Sequence, residues 1–440
     1  MTAARAPRGD GAVGRAGSLP CDDSPVAIPP GPGEPAIDLG GTVRSASVEA
    51  SLARARSVQK AVGITRVANI TGLDHVGVPT WMVVRPLARS LSVSQGKGLT
   101  HELAQVSGMM ESIELHHAEH VAAPGHLRRL RDAVRDRRYV DPLLLPVRLE
   151  AEIGADSTTE WIAGTDLFSG RTRWIVRDCV NLDSASERAR PRLFVGSSNG
   201  LASGNSLAEA LLHALCEVIE RDQVSFWLAR RRFAADAPAT RIRIDSITDT
   251  DCRGLVDRCS DAGLRVAIWY VAEAFSLPCF MCTVFDPEAR TWYPQRASGF
   301  GCHPFRRIAL ARAMTEALQS RLTHIAGARD DVMWSRYRDS IMMDGAAGSA
   351  WIRDVDNEPV AVDFGAIAEF ATEENLDTLL MRVLDAVAAQ GFEEAIFVDL
   401  TRDDIGIPVV HVTVPGLAGP LWKPGYSPGP RRRRFLVRAA

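Results

Sequence analysis

The chain has 440 residues, 46% of them hydrophobic and 24% charged, with a formal net charge of −3. This is the balance of a globular protein; it excludes a wholly disordered or collagen-like chain and gives no electrostatic reason to expect nucleic acid or an acidic membrane as partner. No apolar run approaches the ~18 residues of a transmembrane span and no signal-peptide core opens the sequence, so the expectation is a cytoplasmic protein with no membrane partner.

Residues 1–45 are rich in Gly and Pro and carry no hydrophobic period. They read as a disordered tail, with structure beginning near Ser47. WMVVRPLA (81–88) reads as a strand, and residues 100–120 read as a helix with Thr100 as a candidate N-cap. EWIAGTDL (160–167) and TRWIVRDCVNLD (172–183) flank FSG and predict a hairpin. SLAEALLHALCEVIERDQVSFWLA (206–229) carries the clearest helical period. Residues 265–273 and 278–286 read as buried strands, and 304–327 as a helix ended by Gly327. A helix over 376–391 and strands at 394–401 and 408–416 complete the pattern. Helices and strands mix with no linker between them. The expectation is a single large α/β domain of mixed α+β character over 46–430, then a basic C-terminal tail over 431–440.

Eight scattered cysteines do not make a disulfide framework. Cys279 and Cys282 fall inside an apolar strand-like run, which favours core cysteines over a zinc or redox pair. His116, His117 and His120 lack the HExxH order and read as a partly exposed face.

Three constellations carry chemistry. In SQGKGLT–SGMMESIE, Ser107, Glu111 and Glu114 fall at i, i+4 and i+7 on one helix face. Two carboxylates one turn apart repel unless a cation or water lies between them. Lys97 stands between two glycines, and the only other lysines are Lys60 and Lys423. That suggests a point-charge role on a phosphate. A solvated acidic face beside a flexible loop competes with this reading. GKG is not a P-loop, because no glycine precedes it at the required spacing.

In the second, SSNGLASGN (197–205) reads as a Gly/Ser/Asn-rich loop that enters the 206–229 helix, whose free N–H groups favour anions. At 100° per residue, Glu209 and Glu220 lie about 20° apart and Glu217 about 80° from Glu209. Carboxylates on so apolar a helix should face a cation. Ser206 and Glu209 also fit a capping box, which would explain Glu209 without function. His213 shares the stripe, without partners for a zinc site. In the third, Glu316, Gln319 and Ser320 are at i, i+3 and i+4, with Arg321 beside them.

GKGLT with SGMMESIE, GLASGNSLAEALLHALCEVIERD and EALQSR resemble the signature blocks of the YcaO superfamily, from about Val58 to Pro430. The upstream GITRVANITGLDHVGVPTWMVVRPLARSLSVSQGKG is similar to the subgroup paired with TfuA proteins. The resemblance implies an ATP-binding fold particular to this superfamily, with ATP and Mg2+ as cofactors. It implies activation of a peptide backbone amide through phosphorylation of its oxygen. A neighbouring Cys, Ser or Thr side chain as nucleophile gives an azoline; a sulfur donor gives a thioamide. Carried over by motif, Glu111, Glu209 and Glu220 hold metal. Ser107, Glu114, Asn205, Glu217 and Arg221 position the nucleotide, and Lys97 and Arg321 meet phosphate. No catalytic residue is assigned. Met110 departs from the pattern, since many members carry a polar or arginine residue there.

Azoline-forming members often end in a Pro-x-Pro-x-Pro run, whereas this chain has PGP (428–430) followed by RRRRFLVRAA. The expectation is therefore thioamidation of a ribosomally made precursor peptide, ahead of azoline cyclodehydration. No leader-binding module precedes the YcaO-like part, so a TfuA-like protein or sulfur donor is expected as partner, with a homodimer left open. A nucleotide-binding scaffold of a modification complex is the alternative from another class.

Overall fold

The first helix of the candidate site forms because Thr100 caps it: its side chain accepts from the Leu103 N–H at 3.2 Å. The computed structural model describes residues 33–419 apart from 186–191, 234–238, 273, 289–294, 333–348 and 372–374. In chain order, β1 (Ile37–Asp38) and β2 (Val43–Arg44) pair and lead into α1 (Val48–Val58). β3 (Arg66–Asn69), β4 (Thr80–Val84) and β5 (Val93–Lys97) make a three-stranded antiparallel sheet before α2 (His101–Glu119). β6 (Gly125–Arg129), α3 (Leu130–Val134), β7 (Thr158–Asp166), β8 (Thr172–Val176), α4 (Arg177–Val180) and β9 (Leu201–Ser203) precede α5 (Leu207–Phe233). β10 (Arg241–Ile242), α6 (Thr250–Asp261), β11 (Arg265–Tyr270), β12 (Cys279–Phe285) and β13 (Arg296–Cys302) lead to α7 (Arg306–Ala326). α8 (Ser349–Asn357), β14 (Val360–Val362), α9 (Leu376–Ala389), β15 (Ile396–Asp399) and β16 (Val409–Thr413) follow.

Two larger sheets result. One runs β6-β7-β15-β16-β9 with β8 also on β7; the other runs β13-β12-β11-β10-β14, with only β10 and β14 parallel. α5 packs on β9 and β16 of the first sheet and on β12 and β13 of the second. That position explains why its sequence is apolar around most of its circumference. Leu211, Leu215 and Ile219 are at most 1% exposed, and each contributes roughly 1.5–3 kcal/mol by burial. α2 lies on β4 and β5 and also meets β9, while α7 lies on β13 and β12 and also meets β5.

The helices expected at 100–120, 206–229 and 304–327 are α2, α5 and α7, and Gly327 ends α7 in the left-handed region at φ 60°. The 160–183 hairpin forms as β7 and β8, its last residues turning into α4. Cys279 and Cys282 are buried and free. An odd spacing on one strand sends them to opposite faces, so they cannot share a metal.

Three readings are corrected. Residues 33–45 are not wholly tail, because 37–44 form the β1–β2 hairpin with Gly40 and Gly41 at φ 72° and 63°. Two-residue strands around a double glycine leave no hydrophobic period to detect. The SQGK segment is strand β5 rather than flexible loop, and Leu201–Ser203 is strand β9. Gly96 is there for close approach: a Cβ on it would lie 1.9 Å from the Ala104 carbonyl oxygen of α2. PGP (428–430) and the arginine run 431–434 lie outside the described residues.

Candidate active site

Each acidic helix face is tied to the strand beside it. The Gln95 N–H of β5 donates to Glu111 Oε2 at 3.0 Å. The Ser203 N–H and Oγ of β9 donate to Glu114 Oε1 at 2.8 and 2.7 Å. Among the described residues, the second oxygen of each of these carboxyls has no hydrogen-bond partner. From α7, Glu316 Oε2 accepts from Lys97 Nζ at 2.8 Å, and its Oε1 accepts from the Phe300 N–H at 3.4 Å. Lys97, the last residue of β5, is thus aimed across to α7. Arg221 lies 3.6 Å from Glu220 and 3.8 Å from Glu217.

These groups line one cleft of about 430 Å3. Lys97, Ser107, Glu111, Glu114, Asn205, Glu209, Glu217, Glu220 and Arg221 all face it, together with Glu316. The six glutamates therefore converge from α2, α5 and α7, and none points away into bulk water. Leu39, Leu99, Leu103, Val106 and Met110 give the same cleft an apolar wall.

Burial makes the carboxyls reluctant to ionise. It pushes the Glu114 carboxyl up to about 8 against the Ser203 hydrogen bonds, with Glu111 and Glu217 adding to the rise. Burial raises Glu111 too, against Arg329 and Lys97. Glu220 is pushed up to about 7, by burial first, against Arg221. Burial would also raise Glu316, but the Lys97 ammonium and Arg221 bring it below the usual carboxylate value. A cluster of buried and half-buried acids, three of them with raised pKa values and two with an unused oxygen, calls for positive charge. Hard oxygen donors suit Mg2+. Arginine, lysine and amide groups opposite them suit a polyphosphate, and the apolar wall suits a flat base. The residues present fit a magnesium nucleotide.

Glu209 is engaged differently from Glu111 and Glu220. Its Oε2 accepts from the Ser45 N–H at 2.9 Å and the Ser45 Oγ at 2.7 Å, and its Oε1 accepts from Arg44 Nη1 at 3.3 Å. Asn205 Nδ2 reaches both oxygens, at 3.4 and 3.2 Å. Half of the capping-box reading holds: Ser206 Oγ accepts from the Glu209 N–H at 3.3 Å, while the Glu209 carboxylate turns to the N-terminal hairpin instead. To take a metal, Glu209 has to release some of these donors.

Arg321 departs from the expectation that it meets phosphate. It does not line the cleft; its Nε donates to Asp74 Oδ2 at 2.6 Å, in a pair only 2% and 3% exposed. Five residues past Glu316, it lies about 140° around the helix and faces the core. The cations that do line the cleft beyond Lys97 and Arg221 are Arg44, Arg312 and Arg329. Arg312 had a sequence signal, at i−4 from Glu316 on the same face. Arg44 and Arg329 had none, since both come from outside the motifs. His116, Glu119 and His120 place three ligand atoms within 4.8 Å of one another. Glu119, however, is taken by the Arg85 fork at 2.8 and 3.0 Å and by Ser90, which ties it into an ion pair instead.

Residues 95–418 match the family model described as "YcaO cyclodehydratase, ATP- and Mg2+-binding". The chain is 35% identical over 372 residues to an uncharacterized protein of Mycobacterium tuberculosis, covering 81% of this chain and 78% of that one. It is 31% identical over 367 residues to an uncharacterized protein in the tfuA 3′ region of Rhizobium leguminosarum bv. trifolii, covering 81% and 84%. It shares the fold of YcaO from Methanopyrus kandleri bound with AMPPCP and Mg2+, with TM-score 0.68, 20% identity and coverage of 88% and 95%. A longer heterocyclase, solved in complex with substrate and cofactor, superposes with TM-score 0.71 at 20% identity. The match covers 88% of this chain and 55% of that one, so the chain spans about half the length of this relative. Among the described residues no helix is long and apolar enough to cross a membrane.

Proposed function

Since the chain belongs to the YcaO family, we propose that it is an ATP- and Mg2+-dependent enzyme that activates a backbone amide of a ribosomally made peptide, forming a thioamide with a TfuA-like partner. The observation that carries this is the convergence of six glutamates from three helices on one cleft that also holds Lys97, Arg221 and Arg312.

When bound, the magnesium nucleotide supplies the phosphoryl group that turns a poor amide oxygen leaving group into a good one. Glu111 and Glu220 would hold the metal, joined by Glu316 and by Glu209 once it sheds donors. Glu114, Glu217, Asn205, Ser107 and Arg221 would position the nucleotide. Lys97 would neutralise phosphate while kept in place by Glu316. Half-burial of the cleft limits water around the reacting groups and strengthens each charge interaction.

Thioamidation is supported by the position of the Rhizobium relative beside tfuA. The cyclodehydratase wording of the family description supports a second reading, azoline formation. Product mass separates them: a ring loses ~18 Da, while sulfur for oxygen adds ~16 Da, as the two outcomes of amide activation require. The test supplies precursor peptide, partner and sulfide to the wild type and to Glu111→Gln and Glu220→Gln. Loss of ATP turnover and product in both variants is expected; unchanged turnover overturns the proposal.

A further inference from the structure

Four of the five cations lining the cleft have a carboxylate close by. Lys97 is 2.8 Å from Glu316, Arg44 is 3.3 Å from Glu209, Arg221 is 3.6 Å from Glu220, and Arg329 is 2.6 Å from Asp331. Arg312 differs. Among the described residues no carboxylate lies within 4.0 Å of its guanidinium; its Nη2 instead donates to His213 Nε2 at 2.9 Å.

We infer that His213 is a positioning residue that holds Arg312, with its charge unspent, for the phosphate chain of the nucleotide. This rests on the reading that the cleft binds a magnesium nucleotide.

An arginine can only donate, so His213 Nε2 must carry no proton and act as acceptor. A neutral ring therefore orients the guanidinium without neutralising it. A glutamate in the same place would orient it as well but cancel its charge. The arrangement has a cost that argues for purpose: Nδ1 of His213 and Nε of Arg312 are both buried with no hydrogen-bond partner. Burial, with Arg312 and Arg44 nearby, pushes the His213 imidazole well below its usual pKa, which keeps it an acceptor. His213 follows Glu209 by one turn on α5, and Arg312 precedes Glu316 by one turn on α7. The pair thus bridges the two helices beside two proposed metal ligands, where the phosphates have to lie. A planar guanidinium offers paired donors for phosphate oxygens that a lysine cannot match.

The test is a double-mutant cycle on MgATP binding by calorimetry with the full chain: wild type, Arg312→Gln, His213→Leu and the double variant, plus His213→Gln, whose amide oxygen replaces the Nε2 acceptor. Each single change is expected to weaken binding by about tenfold or more, the size of a lost charge-assisted contact. The double variant should be no weaker than Arg312→Gln, and His213→Gln should stay within about threefold of wild type. Additive losses, or a His213→Leu that binds as wild type does, overturn the inference. Should the leucine variant not fold, His213→Ala replaces it: a tenfold loss there beside near wild-type binding by His213→Gln supports the role, and wild-type binding by His213→Ala or a tenfold loss in His213→Gln refutes it. A wild-type chain that binds no MgATP removes the nucleotide reading itself, which is a different failure.

Discussion

Cation binding in the cleft should depend steeply on pH, because Glu220, a proposed metal ligand, and Glu114, one turn from the proposed ligand Glu111, are pushed up by burial. Glu114 sits at about 8 and Glu220 at about 7. Each must lose its proton before it can favour a bound cation. Lowering pH from 8.5 to 6.5 leaves Glu114 largely protonated, which weakens binding by up to about 25-fold by linkage; Glu220 adds up to a further factor of roughly 4, for a ceiling of ~100-fold together. The assay is a Mg2+ or Mn2+ titration of the nucleotide-free protein across that range, so that the nucleotide's own protonation does not intrude. Proton release on binding, read from buffers of differing ionisation enthalpy, should rise towards the low end of the range. Glu114→Gln should remove most of the slope. An affinity flat between pH 6.5 and 8.5, with no proton released, would refute the reasoning. The same raised values make the metal-free fold most stable while these groups are protonated. That stability is lost as pH rises from the unfolded carboxyl range through 7 and 8, and added Mg2+ should restore it.

Three further outcomes follow from the packing. Arg321→Met should cost about 3 kcal/mol of stability by removing the guanidinium from buried Asp74 and leaving it only its His75 contacts, measured by denaturant titration, while the MgATP dissociation constant of the folded protein stays the same; a large loss of nucleotide affinity would return Arg321 to the cleft. Gly96→Ala should destabilise the chain and lower its thermal midpoint clearly, because the clash is with α2 backbone rather than a movable side chain; a neutral midpoint would contradict the observed strand–helix approach. Lys97→Met should cost ~1 kcal/mol or less in stability, since the Lys97–Glu316 pair is about one-fifth exposed, yet reduce ATP turnover at least about tenfold through the lost phosphate charge; full turnover would leave Lys97 as a structural partner of Glu316 only.

The three helices were legible because apolar period, caps and end signals agree locally: Thr100 at the start of α2, Ser206 before α5 and Gly327 after α7. The strands that carry the site were not. β5 (VSQGK) is rich in Ser, Gln and Gly and β9 (LAS) is only three residues long, so neither shows a β-branched run; α2 packs on both. The spacing of Glu209, Glu217 and Glu220 gave their common stripe, but only the fold shows that Glu209 is gripped by Ser45 and Arg44 from a segment that reads as tail. Arg321 was misplaced by adjacency along the chain, although angular position on the helix already separated it from Glu316 and favoured Arg312. Arg329 enters after α7, and no local pattern marks it.

The central claim is that the cleft transfers phosphate to a peptide amide oxygen. The most direct measurement is to supply a precursor peptide carrying 18O in its backbone carbonyls, with ATP, Mg2+ and partner, and to determine the isotope content of the released phosphate. The account predicts one 18O delivered to phosphate for each modified amide; phosphate free of the label, despite product formation, would contradict it.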